Sequence, residues 1–378
     1  MKIQEMIFKE PRNFSDEVLA KQRSRRERLF FEVSGFNDLQ RSQLIHLIGQ
    51  FDDEFKLVEA VIQFTIPFAA LSTFILRARQ VFDDSALSND LQAISDHYEV
   101  HWRAGKFDFN VSKEPVIYGI LNITPDSFYD GGRFQDPVAI QNQIDKMVTA
   151  GTDVIEINGQ TTRPGFTEVT PTEELRRISS TADLIKEKYP QIALAVDTYK
   201  LPVMREMVGM DVDIINDVNA FVDDRAKLEL LKDQQTGLLT MHSSRETEYD
   251  NLTVEMKRFF EHNLAELSDA GINRERIAID QGIGYSKVAD GYQDYAMMRN
   301  IDQFNYLSRP IMVAISRKGF GAKLFGLDKD DRLPVTLIAE AYMYLHGGRI
   351  LRVHDVEETM QLVKMLDTIT AGYWHRQA

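Results

Sequence analysis

From Glu114 to the C-terminus the chain repeats one pattern: a short apolar run, a polar loop, then a helix-length stretch. The strand-like runs are Val116–Leu121, Asp153–Ile157, Ala193–Val196, Asp213–Ile215, Leu238–Met241, Arg276–Ile279, Ile311–Ile315 and Ile350–Val353. Helices fit after them at 137–150, 172–188, 201–208, 223–233, 253–270, 292–306, 333–346 and 356–373. Short apolar runs bounded by turn residues read as buried strands, and strand–helix alternation reads as a parallel sheet. Eight such units predict an α/β chain folded as a (β/α)8 TIM barrel. An open doubly wound sheet would carry a G-x-G-x-x-G after its first strand, and none is present. Helix punctuation agrees. Thr170-Pro171-Thr172-Glu173 is a capping box with Pro at the first helical position, and Gly347-Gly348 stops the seventh helix.

Ahead of the barrel, residues 1–108 read as a small α+β N-terminal domain, leaving 109–378 for the barrel. Leu29–Val33 reads as a strand, Asn37–Phe51 and Ala86–Tyr98 as helices, and Lys21–Arg28 as a solvated helix face. His46, His97 and His101 are scattered without metal-ligand spacing, and no role for this section follows from its sequence. With 378 residues and 43% hydrophobic content, both parts can bury a core. Ala60–Leu76 is uncharged, but it is shorter than the roughly 20 residues of a membrane span. It also contains Pro67, so it predicts buried elements broken there. The first residues lack the apolar run of a secretory leader, and the chain has no cysteine. A reducing, cytoplasmic setting is therefore expected. A net charge of −14 disfavours a nucleic-acid partner. An anionic substrate would need a local cluster of Arg, Lys and His.

A barrel of this kind carries its site at the C-terminal ends of its strands. All eight ends are polar: Asn122; Glu156 running into Asn158-Gly-Gln-Thr; Asp197-Thr198; Asn216-Asp217; His242; Asp280; Ser316-Arg317-Lys318; and Arg352-Val-His354-Asp355. Asp355, with Glu358 three residues on, reads as a helix cap. Asp197, Asn216 and Asp280 offer carboxylate and amide acceptors suited to a flat heterocycle rich in N–H donors. Lys318, Arg352 and His354 form a cationic set at strands seven and eight, where many barrels bind phosphate. Arg352 and His354 are two apart and so face the same side of a strand.

Seven motifs stand in order along the barrel section: Asn122-Ile-Thr-Pro-Asp-Ser-Phe-Tyr-Asp-Gly-Gly132, Thr161-Thr-Arg-Pro-Gly165, Val196-Asp-Thr-Tyr-Lys200, Ile214-Ile-Asn-Asp217, Asp280-Gln-Gly-Ile-Gly284, Ile315-Ser-Arg-Lys318 and Arg352-Val-His-Asp-Val356. Together they resemble the signatures of dihydropteroate synthase over about residues 107–378. The resemblance implies a transferase that joins 6-hydroxymethyl-7,8-dihydropterin diphosphate to 4-aminobenzoate and releases pyrophosphate. It implies pterin contacts at Glu156, Asp197, Asn216, Asp280 and Lys318, and diphosphate contacts at Asn122, Arg352 and His354. It implies that Asn122, Lys318, Arg352 and His354 carry catalysis. A Mg²⁺ cofactor held by Asn122 and a homodimer are also implied. Loops with Asp126, Ser127, Phe128, Thr162, Arg163, Pro164, Tyr285 and Ser316 would form the aminobenzoate pocket. Small molecules, with no nucleic acid and no membrane, are the expected partners. Departures are Glu156 where Asp is usual, Asn158-Gly-Gln160-Thr for Gly-Gly-Glu-Ser, Gln281 for Pro, Tyr285 for Phe, and Tyr129 for a small residue. The rivals are a pterin-dependent methyltransferase, which has no need of Lys318 with Arg352-x-His354, and a catalytically silent scaffold barrel.

Overall fold

The computed structural model describes residues 1–8, 10–51, 54–123, 137–160, 167–243, 250–285 and 291–373. It divides into two units: Met1–Glu99 with Asp302–Ser308 and the stretch from Lys364, and Val100–Ile301 with Arg309–Val363.

In the first unit β1 (Lys2–Glu5), β2 (Arg28–Ser34), β3 (Phe55–Val58) and β4 (Val61–Pro67) form an antiparallel sheet in the order β1-β2-β4-β3. Helices Asp38–Ile48, Leu71–Val81 and Ser85–Tyr98 supply the rest of its core, where Phe31, Phe64 and Phe74 meet ring to ring. The uncharged stretch around Pro67 is therefore a buried strand ending at that proline, followed by a helix. The charged run straddles an exposed helix, Phe14–Ser24, and the start of β2.

The second unit begins with a hairpin, β5 (His101–Ala104) and β6 (Phe107–Asn110). Trp102 and Ala104 are fully buried against Val116, Val154, Ala193 and Ile214, residues at the starts of barrel strands. The Trp102 indole donates to the Arg276 carbonyl (3.0 Å). At Gly237 a Cβ would lie 2.7 Å from that of Ala104, so glycine is required for the hairpin to seat. This packing draws residues 100–108 into the barrel unit and puts the division at Glu99, nine residues before the expected one.

The eight parallel strands are β7 (Val116–Asn122), β8 (Val154–Asn158), β9 (Ala193–Asp197), β10 (Ile214–Asp217), β11 (Gly237–Met241), β12 (Ile277–Asp280), β13 (Ile311–Val313) and β14 (Gly348–Val353). They close in chain order, with β14 pairing back to β7. Alternate residues line the interior: Val116 and Tyr118, Val154, Ala193 and Ala195, Ile214, Leu239, Ala278, Met312, Ala314 and Ile350. The next inward positions toward the strand ends are Asn122, Glu156 and Asn158, Asp197, Asn216, Asp280, Ser316, Arg352 and His354. Two elements differ from expectation. β13 is three residues long and has a register shift between Ile311 and Met312. The helix expected over 292–306 is an α-helix, Tyr292–Arg299, then a 3-10 turn, Ile301–Leu307.

Candidate active site

Glu156 is wholly buried at the centre of the barrel mouth. The Arg352 guanidinium donates from Nε to both of its carboxylate oxygens (3.1 and 3.2 Å) and again from a terminal nitrogen. That same terminal nitrogen also reaches Asp197 Oδ2 at 3.1 Å. Asn158 and Asn216 donate their amides to Glu156 as well, at 3.0 and 3.4 Å. Arg352 therefore lies inside the acceptor group rather than apart from it with His354, as its place on the strand had suggested. The extra methylene of Glu156 gives it the reach to hold Arg352, and both its oxygens are engaged.

Around Glu156 this leaves three buried acceptors with no hydrogen-bond partner among the described residues: Asn158 Oδ1, Asp197 Oδ1 and Asn216 Oδ1. Buried acceptors are rarely left unpaired, so a donor-bearing ligand is the physical expectation for this wall. Burial pushes the Asp197 carboxyl up to about 8, helped by the Glu156 charge and opposed by Arg352. Asp280 is also raised by burial, against the pull of Lys318, and it accepts the Gly282 amide at 2.9 Å. Gly282 has φ +72, and a Cβ there would collide with the His242 carbonyl. Lys318 donates to the Ile283 carbonyl and sits 5.2 Å over the Tyr285 ring. Burial lowers its ammonium to about 8, while Asp280 resists that shift. For Arg352, burial works against the charge, but Glu156 and Asp197 more than offset it and the net shift is upward.

His354 faces Ser316 and Asn122. Its Nε2 lies 3.5 Å from the Asn122 amide nitrogen and its Nδ1 3.0 Å from Ser316 Oγ. The His354 backbone amide donates to the same oxygen at 3.2 Å. Asn122 Oδ1 in turn accepts from Asn158 at 3.2 Å.

Several other polar strand ends are structural. Asp217 caps its own loop through the Asn219 and Phe221 amides and pairs with buried Lys227 at 2.8 Å. His242 packs edge-on against Phe259, and burial lowers its ring to about 4. Asp355 is not a side-chain cap: its carboxylate takes a two-pronged bond from Arg317, both arms 2.8 Å. Asp126, Ser127, Phe128, Thr162, Arg163 and Pro164 lie outside the described residues.

Sequence reasoning passed over Asn158 and Lys200. Asn158 stood as a departure from a glycine, yet it is one of the three open acceptors. Buried Lys200 donates to Gln160 Oε1 (2.6 Å) and Glu174 (2.8 Å) and so ties down the start of the second loop. The signal for Lys200 was its place one residue past Asp197-Thr-Tyr.

Residues 118–354 match the family model for pterin binding enzymes. The dihydropteroate synthase of Clostridium beijerinckii is 31% identical over 268 residues, covering 71% of this chain and 98% of that one. The Escherichia coli dihydropteroate synthase is 30% identical over 260 residues, covering 67% and 91%. Among solved structures, Yersinia pestis dihydropteroate synthase in a sulfonamide drug complex superposes with a TM-score of 0.68 at 28% identity, over 72% of this chain and all of that one. The Burkholderia cenocepacia enzyme complexed with 7,8-dihydropteroate gives 0.63 at 26% identity, over 72% and 97%. A match that runs from the first barrel strand to His354, with relatives at this identity spanned nearly end to end, means that the chain belongs to the dihydropteroate synthases of the pterin binding enzyme family.

Proposed function

We propose that the barrel mouth joins 6-hydroxymethyl-7,8-dihydropterin diphosphate to 4-aminobenzoate, with the pterin ring seated on the Asn158–Asp197–Asn216 acceptors. The observation that carries this reading is those three buried oxygens left without donors beside a Lys–Arg–His set. N–H donors of the ring would stabilise the ionised form of Asp197 and draw its proton off. Lys318, next to Asp280, faces the ring's acceptor atoms. Glu156 acts through Arg352: it holds the guanidinium so that the fork lies between ring and diphosphate. His354 and Asn122 face the diphosphate.

The amine nitrogen of 4-aminobenzoate attacks the exocyclic carbon of the pterin. The C–O bond breaks, pyrophosphate leaves with the electron pair, and the amine's proton passes to solvent. Arg352 and His354 stabilise the departing charge, and the Ser316 hydroxyl with Tyr285 would receive the aminobenzoate. Magnesium suits Asn122, whose Oδ1 keeps a second lone pair. No group of three His, Asp or Glu able to hold a metal occurs among the described residues, so substrate phosphates would supply most other ligands. Bound there, the ion would neutralise charge on the leaving group.

A homodimer is supported by the exposed stripe Ile338, Tyr342 and Leu345 on one face of helix Leu333–Leu345. A cytoplasmic setting is supported by the lack of cysteine. Among the described residues no helix is long and apolar enough to cross a membrane. The test is a coupled assay for pyrophosphate. Release that requires added 4-aminobenzoate supports the reading, and release independent of it, or none, ends it.

A further inference from the structure

We propose that Arg317 is a positioning residue that holds Ser316 and Lys318 in register with Arg352 and His354. The inference rests on the reading above for the roles of those four side chains. The backbone ladder between β13 and β14 ends at Val313 and Leu351, short of every functional group on either strand. Beyond that point consecutive side chains take over. Ser316 accepts from His354, and Arg317 forks onto Asp355, so neighbours on one loop grip neighbours on the other.

Arg317 is also fastened from behind. Its amide donates to Thr336 Oγ1 (3.1 Å), one terminal nitrogen donates to the Asp330 carbonyl (2.8 Å), and its own carbonyl accepts from Arg332 (3.2 Å). Its backbone is left-handed, at φ 52, which a residue with a side chain adopts only where its surroundings over-determine it. That turn is what sends Ser316 toward His354 and Lys318 toward Ile283, on either side of a residue that is itself 6% exposed. A lysine could supply the charge but not the planar two-pronged contact.

The experiment compares Arg317→Met, Asp355→Asn, the double variant and Arg317→Lys. Each of the first two strands one charge of the pair, Arg317 being buried and Asp355 partly so, and should lower Tm, whereas the double variant removes both charges and should recover it. The double variant and Arg317→Lys are nevertheless expected to lose more than about fivefold in kcat. Turnover within that limit at recovered Tm overturns the positioning role, because a purely structural pair would then suffice. The His354 ring signal in the ligand-free protein, assigned with His354→Gln, gives a readout that needs no turnover. It should shift in the double variant as the Ser316 contact changes, and an unmoved signal overturns the inference. An inactive wild-type enzyme would instead count against the proposed reaction, and the ring signal would still decide this one.

Discussion

Between β7 and β10 the parallel ladder reaches the functional side chains themselves: Asn122 pairs with Asn158, Glu156 with Ala195, and Asn216 with Asp197. Between β13 and β14 it stops at Val313, and Ser316, Lys318 and His354 lie past it. The first half thus has its acceptors set by backbone, and three of them can stay unpaired without moving. The second half is set by side-chain bonds, to Ser316, Asp355 and the Ile283 carbonyl. A rigid ring suits the first kind of wall. A leaving group and an incoming amine suit the second, where small shifts must be accommodated.

Breaking the centre of the first half should have the largest effect. Glu156→Gln leaves the largely buried Arg352 with one carboxylate partner, and removing one member of such a pair costs about 3 kcal/mol or more. Urea titration reads this directly. A loss of under about 1 kcal/mol would mean that the pair contributes little and that β8 does not anchor the site. On the other half, Lys318→Ala should lower kcat/KM by about 10²-fold, the scale of a lost charge-assisted hydrogen bond. Unchanged kcat/KM would remove Lys318 from the site.

The raised Asp197 carboxyl gives a third measurement. In the unfolded chain it ionises near 4, while in the folded protein it keeps its proton up to about 8. Over that window the folded state binds more protons, so this group's contribution to stability falls as pH rises through it. Asp197→Asn removes the slope. The ligand-free variant should therefore gain Tm relative to wild type between pH 5 and pH 8, as scanning calorimetry would show. A flat difference would mean that Asp197 is ionised in the free enzyme.

Much of this was legible in the residues. β7, β9 and β11 fall within one residue of their apolar runs, because an all-buried parallel strand has a sharp compositional edge. The eight polar strand ends followed from the barrel rule, since the site end of each strand faces solvent or ligand. What was not legible was pairing across the mouth. Glu156 and Arg352 are far apart in sequence, and strand spacing says which side a residue faces but not how far an arginine reaches. Asp355 carried a cap signature, yet a buried guanidinium outcompeted the helix amides for its carboxylate. By sequence the hairpin at 101–110 falls mostly in the N-terminal section, because the partner of Trp102, the Arg276 carbonyl, has no sequence signature.

The smallest effect discriminates the two halves most finely. Asn216→Ala deletes an open acceptor from a wall whose backbone stays paired to β9, so it should raise KM for the pterin diphosphate by about fivefold and leave kcat and the other KM unmoved. Ser316→Ala removes one neutral hydrogen-bond partner, also worth about 1 kcal/mol. Its loop has no ladder to fall back on, however, and the same turn carries Lys318. It should therefore disturb both substrates at once, lowering kcat and raising both KM values by a few fold. Steady-state kinetics with each substrate varied in turn measures the difference. If Ser316→Ala moved only the aminobenzoate KM, the loop would be holding its shape unaided, and the contrast between the halves would collapse.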